Sequence, residues 1–189
     1  MGKSTKNESY DEFYIKKNTS MNSLKIVFPY EYFSGLVKLN WYDVWLAIEH
    51  GFLNYKAAID HAVKEIDVNS NKDVQELTLL LFEKNIFPYS IHPNIDQLAD
   101  IVPIEKKIQA KEKLLYAVLN WLFEQKYKYS DLQDAVDIIY ADFDYPKSMA
   151  YLWRYTQHLS KKYSTIQSPM ERLNKELVEF LNKQKNNFN

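Results

Sequence analysis

The sequence predicts an all-α protein, a single compact domain of about eight helices preceded by an extended N-terminal arm. The chain has 189 residues, a length that suits one domain. Only three glycines and six prolines interrupt it, which favours long helices over many short strands. From Asn40 onward, apolar residues recur at helical spacing and follow residues that commonly cap helices.

The N-terminal part differs from the rest in composition. Residues 1–23 are polar and mixed in charge, which predicts a flexible arm or extension, and residues 24–189 form the predicted helical domain. The stretch LKIVFPYEYF (24–33) is apolar and β-branched until Pro29 interrupts it. We expect it to lie extended on the core, with room for one short strand.

Helix boundaries are clearest in the segments that follow. Asn40 with Asp43 three residues later is typical of a capping box, and Gly51 is typical of a helix end. A second helix is expected after Asn54 and a third over about 72–84. The stretch FPYSIHPN, with its two prolines, is predicted to be a loop before a short helix at about 94–101.

The C-terminal half is predicted to contain the longest helix, from Pro103 to about Gln125. Its main apolar stripe includes Ile104 and Ile108, and further apolar residues beside the stripe predict a central position covered on more than one side. Three more helices follow in the pattern: one capped by Ser130, one over about 146–160, and one that opens at 168–169 and ends in a frayed tail.

Composition excludes several classes of function. The formal net charge is −1, so no global basic excess favours nucleic acid, and there is no cysteine for a disulfide, a thiol nucleophile or a Cys-based zinc site. No apolar run approaches the ~18 residues of a membrane span, and the N-terminus lacks a signal-peptide pattern. These observations favour a cytoplasmic protein without a cofactor.

Two similar dipeptides, Glu49-His50 and Asp60-His61, raise the question of a metal site. Adjacent helix positions point ~100° apart, so one ion cannot easily bind both members of a dipeptide. His50 sits where a histidine commonly serves the end of a helix, and His61 is expected at the rim because it lies off its helix's apolar stripe. We therefore predict no metal ligand and no catalytic residue.

The strongest local signal is electrostatic. The segment 131–144 carries five aspartates and no Lys or Arg, and the next segment presents aromatic and basic residues on its predicted outer face. Local negative charge speeds capture of a basic partner, and Tyr and Arg are enriched in binding hot spots. The alternative is a pair of ordinary solvated helix faces. The predicted partner-binding residues are Asp131, Asp134, Asp137, Ile138, Asp142, Asp144, Tyr151, Arg154, Tyr155 and His158.

From SLKIVFPYEYFSGLVKLNWYDVWLAIEHGFLNYKAAIDHA onward, the chain resembles an uncharacterised bacterial family with a domain of unknown function. The shared features are the aromatic-Gly segment, the Asn-Trp helix start, the His-Gly helix end and the Ala-rich second helix, and the resemblance covers most of residues 24–165. It implies no catalytic residue. Small proteins of this sort are often encoded beside bacterial toxins, so the resemblance implies an immunity protein.

These observations lead to one expected function and two alternatives. We expect a non-catalytic protein that binds and occludes a bacterial toxin, for example a nuclease with a basic active site, through the acidic and aromatic face. The first alternative is a metal-dependent hydrolase that uses the aspartates, and it requires them to converge in a pocket. The second is a general protein-interaction domain.

Overall fold

The computed structural model describes residues 21–153 and 168–188, and these residues form a helical domain without strands, as predicted. Within them, the α-helices are α1 (Tyr30–Leu36), α2 (Trp41–Glu49), α3 (Lys56–Glu65), α4 (Lys72–Leu79), α5 (Pro88–Asp100), α6 (Ile104–Lys107), α7 (Ala110–Glu124), α8 (Leu132–Asp142) and α9 (Pro169–Phe188). Short 3-10 helices cover Leu80–Phe82, Lys126–Lys128 and Lys147–Leu152.

The segment expected to be extended is partly helical. Residues 24–29 are irregular, and α1 begins directly after Pro29, so the short strand predicted here is wrong. Proline is well suited to the start of a helix because the first turn needs no N–H from it. Met21 is already buried and Ser23 bonds to Asp142, so the packed domain includes residues 21–23.

Helix α7 lies at the centre of the domain, as predicted. Residues 114–119 are all buried, and α2, α8 and α9 pack against this helix. The helix is shorter at its N-terminal end than the sequence predicts, because the predicted single helix is interrupted at residues 108–109, between α6 and α7. Ile104 and Ile108, expected in the buried stripe, are therefore exposed.

Helix α5 is longer than predicted. It begins at Pro88 and continues through Pro93 to Asp100, over the stretch expected to be a loop. Pro88 stands at the first helical position, where its missing N–H costs nothing. Pro93 cannot donate to the carbonyl of Tyr89, but Tyr89 is exposed, so water can satisfy that carbonyl. Ile91, Ile95 and Leu98 supply the buried face that holds the helix in place.

Some of the other predicted helix ends are confirmed and others are wrong. Asn40 and Asp43 form the capping box, in which the Asn40 side chain accepts from the N–H of Asp43 at 3.1 Å and Asp43 accepts from the N–H of Asn40 at 2.8 Å. By contrast, the residue at the N-cap of α3 is Tyr55 rather than Asn54, and it makes no side-chain capping hydrogen bond. The last helix begins at Pro169 as expected but continues to Phe188, so the predicted fraying of residues before 189 is wrong.

Gly51 ends α2 in the left-handed conformation, with φ of 73°. The N–H of Phe52 donates to the carbonyl of Ala47 at 2.8 Å and the N–H of Gly51 to that of Ile48 at 2.9 Å, which is the Schellman pattern. A side chain at this φ is strained whatever the space around it.

Two glycine substitutions should therefore have opposite effects on stability. Gly51→Ala should lower the free energy of unfolding by about 1 kcal/mol, because alanine resists a left-handed φ. Gly35→Ala, within helix α1, should raise it by about 0.5 kcal/mol, because no atom beyond the neighbouring residues and the backbone of the same helix lies within 4 Å of the added Cβ. Urea unfolding of both variants measures the two changes, and equal effects would contradict the assigned conformations.

Candidate functional site

Helix α8 carries the first part of the predicted partner-binding face. Asp131, rather than the expected Ser130, caps the helix, and its carboxylate accepts from the N–H of Gln133 at 2.8 Å and of Asp134 at 3.2 Å. The side of α8 that packs on the domain contains Leu132, Ala135, Val136 and Ile139. Asp131 and Asp134 are exposed on the other side, which is the division that the helical spacing predicts.

The side chain of Gln133 joins α8 to the following 3-10 helix. Its Nε2 donates to Oδ1 of Asp137 at 2.9 Å and to the carbonyl oxygen of Leu152 at 3.0 Å. The N-terminal half of α8 therefore lies beside the 3-10 helix that carries Tyr151. Ile138 is 38% exposed and Tyr151 39% exposed, so each offers apolar area to the surface. We call Asp131, Asp134, Asp137, Ile138 and Tyr151 the acidic face.

Two other predicted aspartates have structural contacts at the far end of α8. Both carboxylate oxygens of Asp142 accept hydrogen bonds from Ser23, one from its N–H at 2.8 Å and one from its hydroxyl at 2.6 Å. Asp144 pairs with Lys111, which lowers the pKa of Asp144 below its ordinary value. These contacts attach the N-terminal segment and α7 to the end of α8.

The remaining predicted residues are Arg154, Tyr155 and His158, which lie outside the described residues. The part of the predicted surface that can be described is therefore the acidic face, and it brings together the N-terminal half of α8 and Tyr151.

The five aspartates of 131–144 do not form a metal-binding group in the described part of the chain. Among the described residues, the group of three possible metal ligands whose ligand atoms all lie within 4.8 Å of one another is Glu49, His92 and Asp96. Nδ1 of His92 is 3.4 Å from Oε1 of Glu49. His92 and Asp96 are one turn apart on α5, and Glu49 is the last residue of α2, which packs against α5.

Glu49 belongs to one of the acid–histidine dipeptides considered from the sequence, whereas its two neighbours in space, His92 and Asp96, were not predicted. The available signal was the spacing of His92 and Asp96, because residues four apart on a helix share a face. That spacing had no meaning while FPYSIHPN was expected to be a loop. Only a helix that continues through Pro93 places the two side chains together.

The second acid–histidine dipeptide has a different role. His61 is buried rather than at the rim as expected, with 2% of its surface exposed. Its Nδ1 is 2.8 Å from the hydroxyl oxygen of Tyr30, and the ring of Trp41 lies edge-on at 4.5 Å. The prediction failed because α1, which covers this side of α3, was expected to be an extended segment.

Burial shifts the pKa of both members of this hydrogen bond. Removal from water lowers the pKa of His61 to about 4, with a smaller effect from Lys64, and raises the pKa of Tyr30 to about 12. His61 is therefore neutral at pH 7, and it belongs to the core rather than to a surface site.

No helix among the described residues combines the length and the apolar character needed to cross a membrane.

In comparisons with known proteins, no curated protein and no solved structure matches the chain. One family model matches residues 30–185, which is most of the chain, and its description is "Uncharacterized protein conserved in bacteria (DUF2247)". The chain belongs to this conserved bacterial family.

Proposed function

We propose that the protein is a cytoplasmic, non-catalytic binding protein, and specifically an immunity protein that neutralises a bacterial toxin by covering its active site. The observation that supports this best is the pair of hydrogen bonds made by Gln133, which link the carboxylate of Asp137 on α8 to the backbone of Leu152, the residue after Tyr151. Aromatic residues are enriched in protein interfaces, and charged residues around them speed association with a partner of opposite charge.

The chemistry of the acidic face fits a basic partner. A nuclease presents cationic residues to the phosphates of its substrate. The carboxylates of Asp131, Asp134 and Asp137 can contact such residues and so exclude the substrate. Long-range attraction between opposite charges raises the association rate, while the apolar area of Ile138 and Tyr151 lowers the dissociation rate.

The aspartate-based hydrolase is less well supported. That function needs carboxylates that converge on an ion. Among the described residues, Asp131 caps a helix, Asp142 bonds Ser23 and Asp144 pairs with Lys111, so these three contact different parts of the molecule.

Co-expression with a toxin tests the proposed function in cells. The natural candidate is the product of a gene next to this one, if that product arrests growth. The wild-type protein should restore growth, whereas the variant Asp134→Lys, Asp137→Lys, Tyr151→Ala should not.

A control variant separates the acidic face from net charge. Glu65→Lys with Glu83→Lys makes the same change in charge at exposed residues near α3 and α4. It should protect as well as wild type. Equal protection by all three proteins would show that the acidic face is not the interface, and no protection by wild type would exclude immunity to that toxin.

A further inference from the structure

We propose that Glu49, His92 and Asp96 form a binding site for a divalent transition-metal ion, and that the site binds Zn²⁺ more tightly than Mn²⁺ or Mg²⁺. This inference is independent of the proposed function, because the three residues lie on α2 and α5 and none belongs to the acidic face. It reverses the expectation from the sequence that the protein has no metal ligand.

The positions of the three side chains suit one ion. One ligand atom from each residue lies within 4.8 Å of the corresponding atoms of the other two. Atoms bound to a common ion at ~2.0–2.2 Å must lie within about twice that distance of each other, so little movement is needed for all three to coordinate. The side chains of Glu49 and His92 are 16% and 14% exposed, which keeps them oriented.

Neighbouring side chains make hydrogen bonds that orient His92 and Asp96, as is common in metal sites. A histidine that binds a metal commonly donates its other ring N–H to an oxygen, which fixes the tautomer. Here Nδ1 of His92 faces Glu49, and Nε2 lies 3.2 Å from the hydroxyl oxygen of Tyr55. Nε1 of Trp45 donates to Oδ1 of Asp96 at 2.7 Å. A carboxylate has two oxygens, so Asp96 can keep this bond and still bind an ion.

The shape of the site leaves coordination positions open. Glu49, His92 and Asp96 line a pocket of about 340 Å³ together with Tyr42, Trp45, Ala99 and Asp100. Three protein ligands do not complete the shell of a divalent ion, and the remaining positions in such sites are filled by water or a small ligand. The arrangement is therefore that of an open site rather than a closed structural one.

The ligand types set the order of affinity. One imidazole and two carboxylates suit Zn²⁺ and Mn²⁺, whereas Mg²⁺ strongly prefers oxygen ligands and keeps its own water. The general order of stability places Zn²⁺ above Mn²⁺. We therefore expect affinity to fall from Zn²⁺ to Mn²⁺ to Mg²⁺.

Calorimetric titration of tag-free, chelator-treated protein with ZnCl₂, MnCl₂ and MgCl₂ tests the site. Zn²⁺ should bind with one-to-one stoichiometry. His92→Gln, Asp96→Asn and Glu49→Gln should each weaken Zn²⁺ binding by at least ~10-fold, and Tyr55→Phe by about 10-fold through the loss of its bond to His92. Asp60→Asn, from the other acid–histidine dipeptide, is the matched control and should bind Zn²⁺ like wild type.

A second readout needs no substitution. In the wild-type protein, Zn²⁺ should shift the ring ¹⁵N resonances of His92 and leave those of the buried His61 unchanged. If Glu49 and His92 form only an ion pair, no saturable Zn²⁺ binding will be seen. That result would overturn the proposal, as would unchanged affinity in the folded ligand variants or a shift at other histidines in place of His92.

Discussion

Replacing Lys113 by methionine is expected to destabilise the protein by about 3–5 kcal/mol, the usual cost of removing one partner from a buried ion pair. Nζ of Lys113 donates to Oδ2 of Asp43 at 2.7 Å and to the carbonyl oxygen of Lys38 at 3.0 Å. The Asp43 side chain is completely buried and that of Lys113 is 12% exposed. Without the lysine, a carboxylate would remain inside the core with no opposite charge beside it.

The pKa of Asp43 gives this variant a characteristic pH dependence. Burial raises the pKa of Asp43 above its ordinary value, although Lys113 acts in the opposite direction. Loss of Lys113 should raise that pKa further. The folded variant then holds a proton more tightly than the unfolded chain, so its free energy of unfolding should recover as the pH falls towards the acidic range.

A double-mutant cycle tests whether the loss of stability in Lys113→Met comes from the unpaired charge of Asp43. Asp43→Asn removes the charge, so the double variant Asp43→Asn, Lys113→Met should be more stable than Lys113→Met alone. Urea unfolding at pH 7 measures all four proteins. Additive effects of the two substitutions, or a cost below about 1 kcal/mol for Lys113→Met, would contradict the role assigned to this pair.

Protonation of His61 in acid should lower the free energy of unfolding by about 3 kcal/mol. Its pKa is about 4 in the folded protein, against 6.5 for an ordinary histidine, and each pH unit of difference corresponds to about 1.4 kcal/mol. The unfolded chain takes up the proton first as the pH falls. The stabilisation from neutral His61 is therefore complete above pH 6.5 and is lost progressively down to about pH 4.

The variant His61→Gln separates this effect from the titration of carboxylates. Glutamine does not titrate, and its amide can still bond to the hydroxyl of Tyr30. The variant should be less stable than wild type at pH 7, but its loss of stability between pH 7 and pH 4 should be smaller by about 3 kcal/mol. Equal losses in the two proteins, measured by urea unfolding, would show that His61 is not held neutral by the fold.

The sequence predicts those parts of the fold that depend on local chemistry. The capping box at Asn40, the helix end at Gly51 and the start of α9 at Pro169 all follow from residues within one turn of each boundary. The central position of α7 follows from apolar residues on more than one side, which need cover from several neighbours.

The predictions that are wrong concern features of the fold that depend on contacts between distant segments. Ile108 has the spacing of a buried residue, but the break after α6 turns it outward. His61 lies off its own helix's apolar stripe, yet α1 covers it with the side chain of Tyr30. No pattern within one segment contains this information.

The two candidate sites also differ in whether local sequence is enough to predict them. The acidic side of α8 could be read from the spacing of Asp131 and Asp134, since both sides of one helix are defined by local sequence. The approach of His92 and Asp96 to Glu49 could not, since it requires both the continuation of α5 through Pro93 and the packing of α2 on α5.

The affinity for the purified domain of a toxin identified by the co-expression experiment tests the proposed role of the acidic face most directly. Relative to wild type, the variant Asp134→Lys, Asp137→Lys should associate more slowly, and salt should slow wild type more than this variant. Tyr151→Ala should mainly speed dissociation. These losses are expected together with unchanged binding by Glu65→Lys, Glu83→Lys. Wild-type affinity in the folded Asp134→Lys, Asp137→Lys variant would contradict the role proposed for the acidic face.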